Sequence, residues 1–223
     1  MSRVLVLHAH PHPTQSNVNV RMIRAAGEID DVTPIDLYAR YPRHDIDIEA
    51  EQERLLEHDV LVLQFPFHWY SAPSLVKLWL DVVLEFGFAY GEGGTRLAGK
   101  SLLIATTAGG AEEAYEPDGH NRFPIRTLLT PFEQTANLCR MRYLAPFVLF
   151  SSLRAAEEGA AETHVARYRS LLEALVGDRL DLEAAGAREL LLDSALPIVA
   201  GAGGAGAGEV SADRTGEPPA AER

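Results

Sequence analysis

Tyr115 and His120 stand in one stretch, TTAGGAEEAYEPDGHN, and a phenol and an imidazole so close in sequence suit delivery of a proton during a reduction, or else form the polar surface of a long loop. Two further stretches are as dense in reactive groups. HAHPHPTQSNVN carries His10, His12, Ser16, Asn17 and Asn19, and QFPFHWYSAP gathers Phe65, Phe67, His68, Trp69 and Tyr70. Hydroxyl and amide groups at Ser16, Asn17 and Asn19 open a helix, where they cap its free N–H groups or, helped by its dipole, hold a small phosphate. This loop has neither a GxxxxGK[ST] nor a GxGxxG arrangement, so neither an NTPase nor a Rossmann dehydrogenase is indicated. His10 and His12 have no third ligand at a recognised spacing, so no metal is assigned. A histidine here can donate to an anionic ligand or bond the backbone of its own turn. Gly109 and Gly110 allow a close backbone approach to a ligand, as they would allow a simple left-handed turn.

These residues need elements to hold them. Arg3 to Ala9 (RVLVLHA) reads as a strand, and NVNVRMIRAAGEI as a helix in which Val20, Ile23 and Ala26 or Gly27 follow helical spacing. The order repeats: VTPIDL, DVLVLQF (Asp59 to Phe65), SLLIATTA (Ser101 to Ala108) and YLAPFVLF are strands. IEAEQERLLEH, SLVKLWLDVVLEF, Ile125 to Asn137 and HVARYRSLLEALV are helices. Five apolar strands alternating with helices predict an α/β fold, a doubly wound parallel sheet covered on both faces. In such a sheet, ligands bind beyond the carboxyl ends of the strands where strand order reverses. The three unusual loops follow the first, third and fourth strands and so meet there.

Composition bounds the rest. The 223 residues are 47% apolar and 23% charged, enough for one substantial core. We read residues 1–177 as the domain, 178–199 as a segment with room for one more helix, LEAAGARELLLDSAL, and the Gly/Ala-rich residues 200–223 as a disordered tail. A net charge of -12 argues against nucleic acid as partner, because binding a phosphate backbone needs clustered Lys and Arg. With Cys139 the only cysteine, no internal disulfide forms, and no signal-peptide pattern opens the chain, so a cytoplasmic location is expected. Apolar runs fall short of the roughly 20 residues of a spanning helix, so any place at the inner membrane would come through a partner.

With a phosphate anchor on one side and close-approach glycines on the other, Phe67, Trp69 and Tyr70 are placed to flank a planar ring system, and a flavin fits best. Trp79, inside the following helix, reads as a packing residue.

The segments VLVLHAHPHPTQSNVNVRM, DLYARYPRHDIDIEAEQERLLEHD, QFPFHWYSAPSLVKLWLDVVLEFGFAYGEGGTRLAGK and TTAGGAEEAYEPDGHNRF together resemble the flavodoxin-like NAD(P)H:quinone oxidoreductases. The resemblance is greatest to the ancillary quinone reductases of glutathione-regulated potassium-efflux systems, and it covers most of residues 3–176. It implies a flavodoxin-like, five-stranded fold and hydride transfer from NAD(P)H through FMN, with FAD the alternative, to a quinone in ping-pong order. His10, Ser16, Val18 and Asn19 match the positions that bind flavin phosphate and ribityl. Pro66, Phe67, His68, Trp69 and Tyr70 match the loop beside the isoalloxazine; Thr107, Gly109 and Gly110 match the turn facing the ring. Tyr115 and His120 match the pair that stabilises reduced flavin and passes a proton. The resemblance further implies a homodimer, with SLVKLWLDVVLEF a candidate contact, and a membrane potassium/proton antiporter as candidate partner. A regulatory subunit for that antiporter is the second reading, and an electron carrier of the flavodoxin type ranks low because the phosphate loop differs. Departures are Phe67 for a smaller aliphatic residue, His68 for Gln or a similar polar residue, and TTAGG for TTGG, with Ala108 taken as replacing a hydroxyl.

Overall fold

A computed structural model describes residues 1–155, 157–191 and 195–199. Its strands β1 (Val4–His8), β2 (Val32–Asp36), β3 (Val60–Pro66), β4 (Ser101–Thr107), β5 (Arg142–Tyr143) and β6 (Phe147–Leu149) form one parallel sheet. The order is β2-β1-β3-β4-β5, with β6 also paired to β4. Every residue of β1, β3 and β4 is buried, which explains why these strands are apolar runs rather than alternating patterns. β2 lies at an edge, where Pro34 withholds no ladder donor that the sheet needs.

Alternate residues of each strand feed two cores. Leu5, Leu7, Leu61, Leu63 and Phe65 pack against α3 (Ile48–Glu57), α4 (Ser74–Val83) and α6 (Thr130–Leu138). Val4, Val6, Val60, Val62 and Leu103 pack against α1 (Asn19–Ala26) and α7 (Ala160–Val176). Trp79 is fully buried, and its Nε1 donates to Glu51 Oε2 at 3.0 Å. Glu51 is a buried carboxylate that also accepts from the Tyr41 hydroxyl at 2.6 Å and pairs with Arg54 and Arg40, so its charge is compensated inside the core.

Three elements differ from expectation. The last strand is interrupted: Leu144, Ala145 and Pro146 oppose only Leu103 and Ile104 of β4, a bulge in which the Ala145 N–H leaves the ladder for the Ala185 carbonyl at 3.2 Å. The helix expected from Ile125 to Asn137 is split into α5 (Ile125–Leu128) and α6, because Pro131 has no N–H to continue the ladder and instead starts a new first turn. The helix expected over 182–196 stops at α8 (Leu182–Ala187), opened by the Asp181 carboxylate accepting from the Glu183 and Ala184 N–H groups. Leu180, Ala185 and Leu191 join the same apolar cluster as Tyr168, so this segment packs onto the body of the domain. A short α2 (Leu37–Arg40), capped by Asp36, was not expected. The tail reading, residues 200–223, lies outside the described residues. No described helix is long and apolar enough to cross a membrane.

Candidate functional site

A cleft of about 360 Å³ opens at the carboxyl ends of β1, β3 and β4, within the size range of small-molecule sites. Its floor is a buried polar chain contributed by four elements. His8, the last residue of β1, lies in register with Gln64 of β3. The Gln64 Nε2 group lies 3.0 Å from His8 Nδ1 and donates to the Asn19 carbonyl at 2.8 Å, while Asn19 Nδ2 donates to Thr107 Oγ1 at 2.8 Å. This chain ties the start of α1 to three strand ends. Burial drives the His8 pKa down to about 4, against the opposing pull of Asp36.

The first wall follows β1. A short 3-10 turn, Pro13–Gln15, reverses the chain, and Ser16 Oγ accepts the Val20 N–H at 3.1 Å. Capping and a ligand-facing position are therefore compatible, since Ser16 also lines the cleft with His10, Asn17, Val18 and Asn19. His12 and Gln15 line it as well.

The second wall follows β3. Pro66, Phe67 and His68 line the cleft, and the Phe67 N–H is held by the Thr107 carbonyl at 2.9 Å. His68 and Ser71 then exchange both backbone hydrogen bonds, at 2.9 and 3.0 Å, across a two-residue turn of Trp69 and Tyr70. Both turn residues are left-handed, with φ of 49° and 64°, the geometry of a type I′ turn that Asn-Gly normally supplies. Bulky residues there carry backbone strain. Trp69 is 93% exposed, and the Tyr70 hydroxyl donates to Asn121 Oδ1 at 3.3 Å.

Loops after β4 and β6 close the third side. Thr106 and Thr107 both stand at the end of β4, where the Thr106 hydroxyl donates to the Phe65 carbonyl at 2.8 Å. Ala108 follows them; it is buried, and its N–H is bound by the Leu149 carbonyl at 2.8 Å. Gly109 lines the cleft beside Ser152 and Leu153, while the Gly110 carbonyl accepts from the Ser151 N–H at 2.8 Å. A Cβ on Gly110 would lie 3.3 Å from the Tyr115 ring, so the glycine lets that ring approach. Tyr115 packs between Phe67 and Phe150, at ring separations of 6.2 and 5.5 Å, and burial raises its pKa, with Tyr70 adding to the effect. It is a neutral phenol at physiological pH.

Of the residues expected in the site, the cleft brings together His10, Ser16, Val18, Asn19, Pro66, Phe67, His68, Thr107 and Gly109. Trp69, Tyr70, Gly110, Tyr115 and His120 do not line it: the first two form the exposed turn, Tyr115 lies beneath Phe67, and His120 stands exposed. The loop bearing His120 is linked to the aromatic turn through Asn121, the acceptor of Tyr70. Sequence reasoning missed Gln64, His8, Ser152 and Leu153. The first two had a signal, a polar residue ending each of two otherwise apolar runs.

An open parallel sheet in this strand order, with a cleft at its carboxyl ends, defines a flavodoxin-like protein. The chain belongs to that family: the sequence model described as flavodoxin-like fold matches residues 2–172. It is 48% identical over 152 residues to the glutathione-regulated potassium-efflux system ancillary protein KefG of Pectobacterium carotovorum subsp. carotovorum (strain PC1), an alignment covering 68% of this chain and 83% of that relative. Among solved structures, general stress protein 14 of Treponema denticola, in complex with FMN, is 38% identical with a TM-score of 0.73, over 78% of this chain and 99% of its own. An NADPH-quinone reductase from P. pentosaceus is 32% identical with a TM-score of 0.68, over 76% and 96%.

Proposed function

We propose that this chain is a flavin-dependent NAD(P)H:quinone oxidoreductase that binds FMN, with FAD the alternative. The observation that carries the reading is the convergence of three loops on one cleft with a polar end, His10, Ser16 and Asn19, and an aromatic side, Phe67. The donor set fits the group: hydroxyl, amide and imidazole for a phosphate, and backbone at Thr107 and Gly109 for a ring edge. General stress protein 14, solved with FMN, supports the choice of cofactor.

Flavin bound in this cleft would supply the two-electron chemistry that links NAD(P)H to a quinone. The chain's own residues do the rest. His10, Ser16, Val18 and Asn19 hold the phosphate and ribityl; Pro66, Phe67 and His68 orient the ring, with Trp69 and Tyr70 as its outer wall. Tyr115, a buried neutral phenol, holds a proton to share as a hydrogen bond, and exposed His120 exchanges protons with water at the rim. One cleft serving donor and acceptor in turn makes the kinetics ping-pong. Initial rates at varied NADPH and menadione give parallel double-reciprocal lines; intersecting lines contradict sequential use of the cleft.

Similarity to KefG favours a second role, which can coexist with the first: an ancillary subunit of a glutathione-gated potassium/proton antiporter, placing the chain at the cytoplasmic side of the inner membrane through that partner. A homodimer belongs to the same proposal. Its support is an apolar hollow of about 510 Å³ between α4 and α6, beside the aromatic turn and rimmed by exposed Leu138.

A further inference from the structure

Stability alone does not explain the polar floor beneath the cleft. His8, Gln64, Asn19 and Thr107 are each no more than 5% exposed, and His8 Nε2 and Gln64 Oε1 are buried with no hydrogen-bond partner among the described residues. Apolar side chains of the same shape would avoid that loss. What the chain does have is a direction. The Asn19 carbonyl can only accept, so the Gln64 group 2.8 Å from it is the amino group. The second hydrogen of that group faces His8 Nδ1 at 3.0 Å, which makes Nδ1 an acceptor and leaves the imidazole proton on Nε2. The same amino group lies 3.5 Å from Asn19 Oδ1; with the Asn19 amide reversed, two amino groups would face each other there. Asn19 is thereby kept with Oδ1 toward Gln64 and Nδ2 toward Thr107 Oγ1, at 2.8 Å. Because Nδ2 can only donate, Oγ1 accepts, and the Thr107 hydroxyl proton is left for another partner. No described residue takes it, and Thr107 lines the cleft. The neighbouring Thr106 differs, since its proton goes to the Phe65 carbonyl at 2.8 Å.

We propose that Gln64, anchored by His8, is a positioning residue that fixes the Thr107 hydroxyl as a donor into the cleft, and that this donor favours reduced over oxidised flavin. The inference rests on the flavin reading above and deepens it, because it assigns two residues outside the cleft lining to control of the redox equilibrium. A hydrogen bond strengthens when its acceptor carries negative charge. Reduction adds two electrons to the ring, so an aimed hydroxyl donor holds the reduced form more tightly and raises the two-electron potential. Thr107 keeps its proton throughout: a hydrogen bond strengthens and no proton is transferred from it. His8 and Gln64 act only through Asn19 and Thr107. Without the Gln64 amino group, the Asn19 amide is free to reverse, present Oδ1 to Thr107 and take up the hydroxyl proton, and the donor into the cleft is lost.

The test is the two-electron midpoint potential of the FMN-loaded full-length chain, read by equilibration with a reference dye at fixed pH, with circular dichroism as the check on fold. Gln64→Met and Thr107→Val are each expected to weaken reduced relative to oxidised FMN roughly tenfold, a fall in potential of about 30 mV. Thr107→Ser keeps the hydroxyl and is expected to keep the potential of the unaltered chain. The double substitution Gln64→Met, Thr107→Val should fall no further than Thr107→Val alone, because no hydroxyl remains for Gln64 to direct; a purely structural Gln64 would add its own effect. A Gln64→Met chain that binds FMN at unchanged potential, or an additive fall in the double variant, overturns the inference and leaves the flavin site standing. So does an unchanged potential in Thr107→Val, whether or not Gln64→Met folds. An unaltered chain that binds no FMN overturns the flavin reading, and the directed donor with it.

Discussion

Tyr115 and His120 lie five positions apart, yet one is packed beneath Phe67 and Phe150 and the other stands in solvent. Burial keeps the phenol protonated, so it acts by holding a hydrogen bond, and only His120 has free exchange with water. His120→Ala is therefore expected to slow reoxidation by quinone about 100-fold in stopped-flow absorbance, with FMN affinity unchanged; unchanged turnover removes the role. Two other histidines set the acid limit of the fold. Burial holds both His8 and His164 near a pKa of about 4, against about 6.5 in the unfolded chain. The unfolded state binds the extra protons, so stability is full above pH 6.5 and is lost as pH falls toward 4, by about 3 kcal/mol per histidine. His164 stacks on Phe147 at 4.4 Å and its buried Nε2 has no hydrogen-bond partner among the described residues. His164→Leu should therefore cost little at pH 7 and reduce the loss between pH 7 and 5 in urea unfolding; an unaltered pH slope contradicts this assignment. At this scale, the cleft residues His10, Ser16, Asn19 and His68 were legible because polar groups cluster at strand exits for few other reasons. Ser152 and Leu153 were not, because the loop after β6 reaches the cleft only through tertiary hydrogen bonds to Gly110 and Ala108.

Among the elements, the turn after β3 departs furthest from local preference. Trp69 and Tyr70 hold two successive left-handed positions that favour glycine, and the turn survives because His68 and Ser71 close it by two backbone bonds and Tyr70 is held by Asn121. Trp69 is almost wholly exposed and contributes little to packing. Trp69→Gly is expected to stabilise the apo chain by about 1 kcal/mol while weakening FMN binding, since the proposed outer wall of the ring is lost. Denaturant unfolding and flavin titration of the same variant read the two effects, and a destabilised apo chain contradicts the strain. The aromatic run announced an unusual loop, but its turn type was hidden, because no Gly or Asn marks it. Local sequence also failed at the strand broken at Pro146 and the helix restarted at Pro131. Both prolines stood within otherwise regular patterns, and their effect follows from the missing N–H.

For the whole molecule, the alternation of strands and helices carried the topology, because apolar runs buried on both faces demand helices on both sides. What the alternation could not show is that Glu51 is buried: helical spacing offers it Arg54 at i+3 on α3, but Tyr41, Trp79 and Arg40 reach it from beyond that helix. Nor could it show the return of residues 178–191, which pack through Leu180, Ala185 and Leu191 onto the core around α7. The assembled architecture puts every candidate group at one end of the sheet, and the claim that this end is an electron-transfer site is tested most directly by anaerobic titration. FMN-loaded protein is titrated with NADPH while flavin absorbance is followed, and then given a pulse of menadione. The account predicts rapid bleaching of the flavin and full reoxidation by the quinone. Bound FMN that does not bleach contradicts the reductase and shifts the function to the ancillary, antiporter-binding role alone.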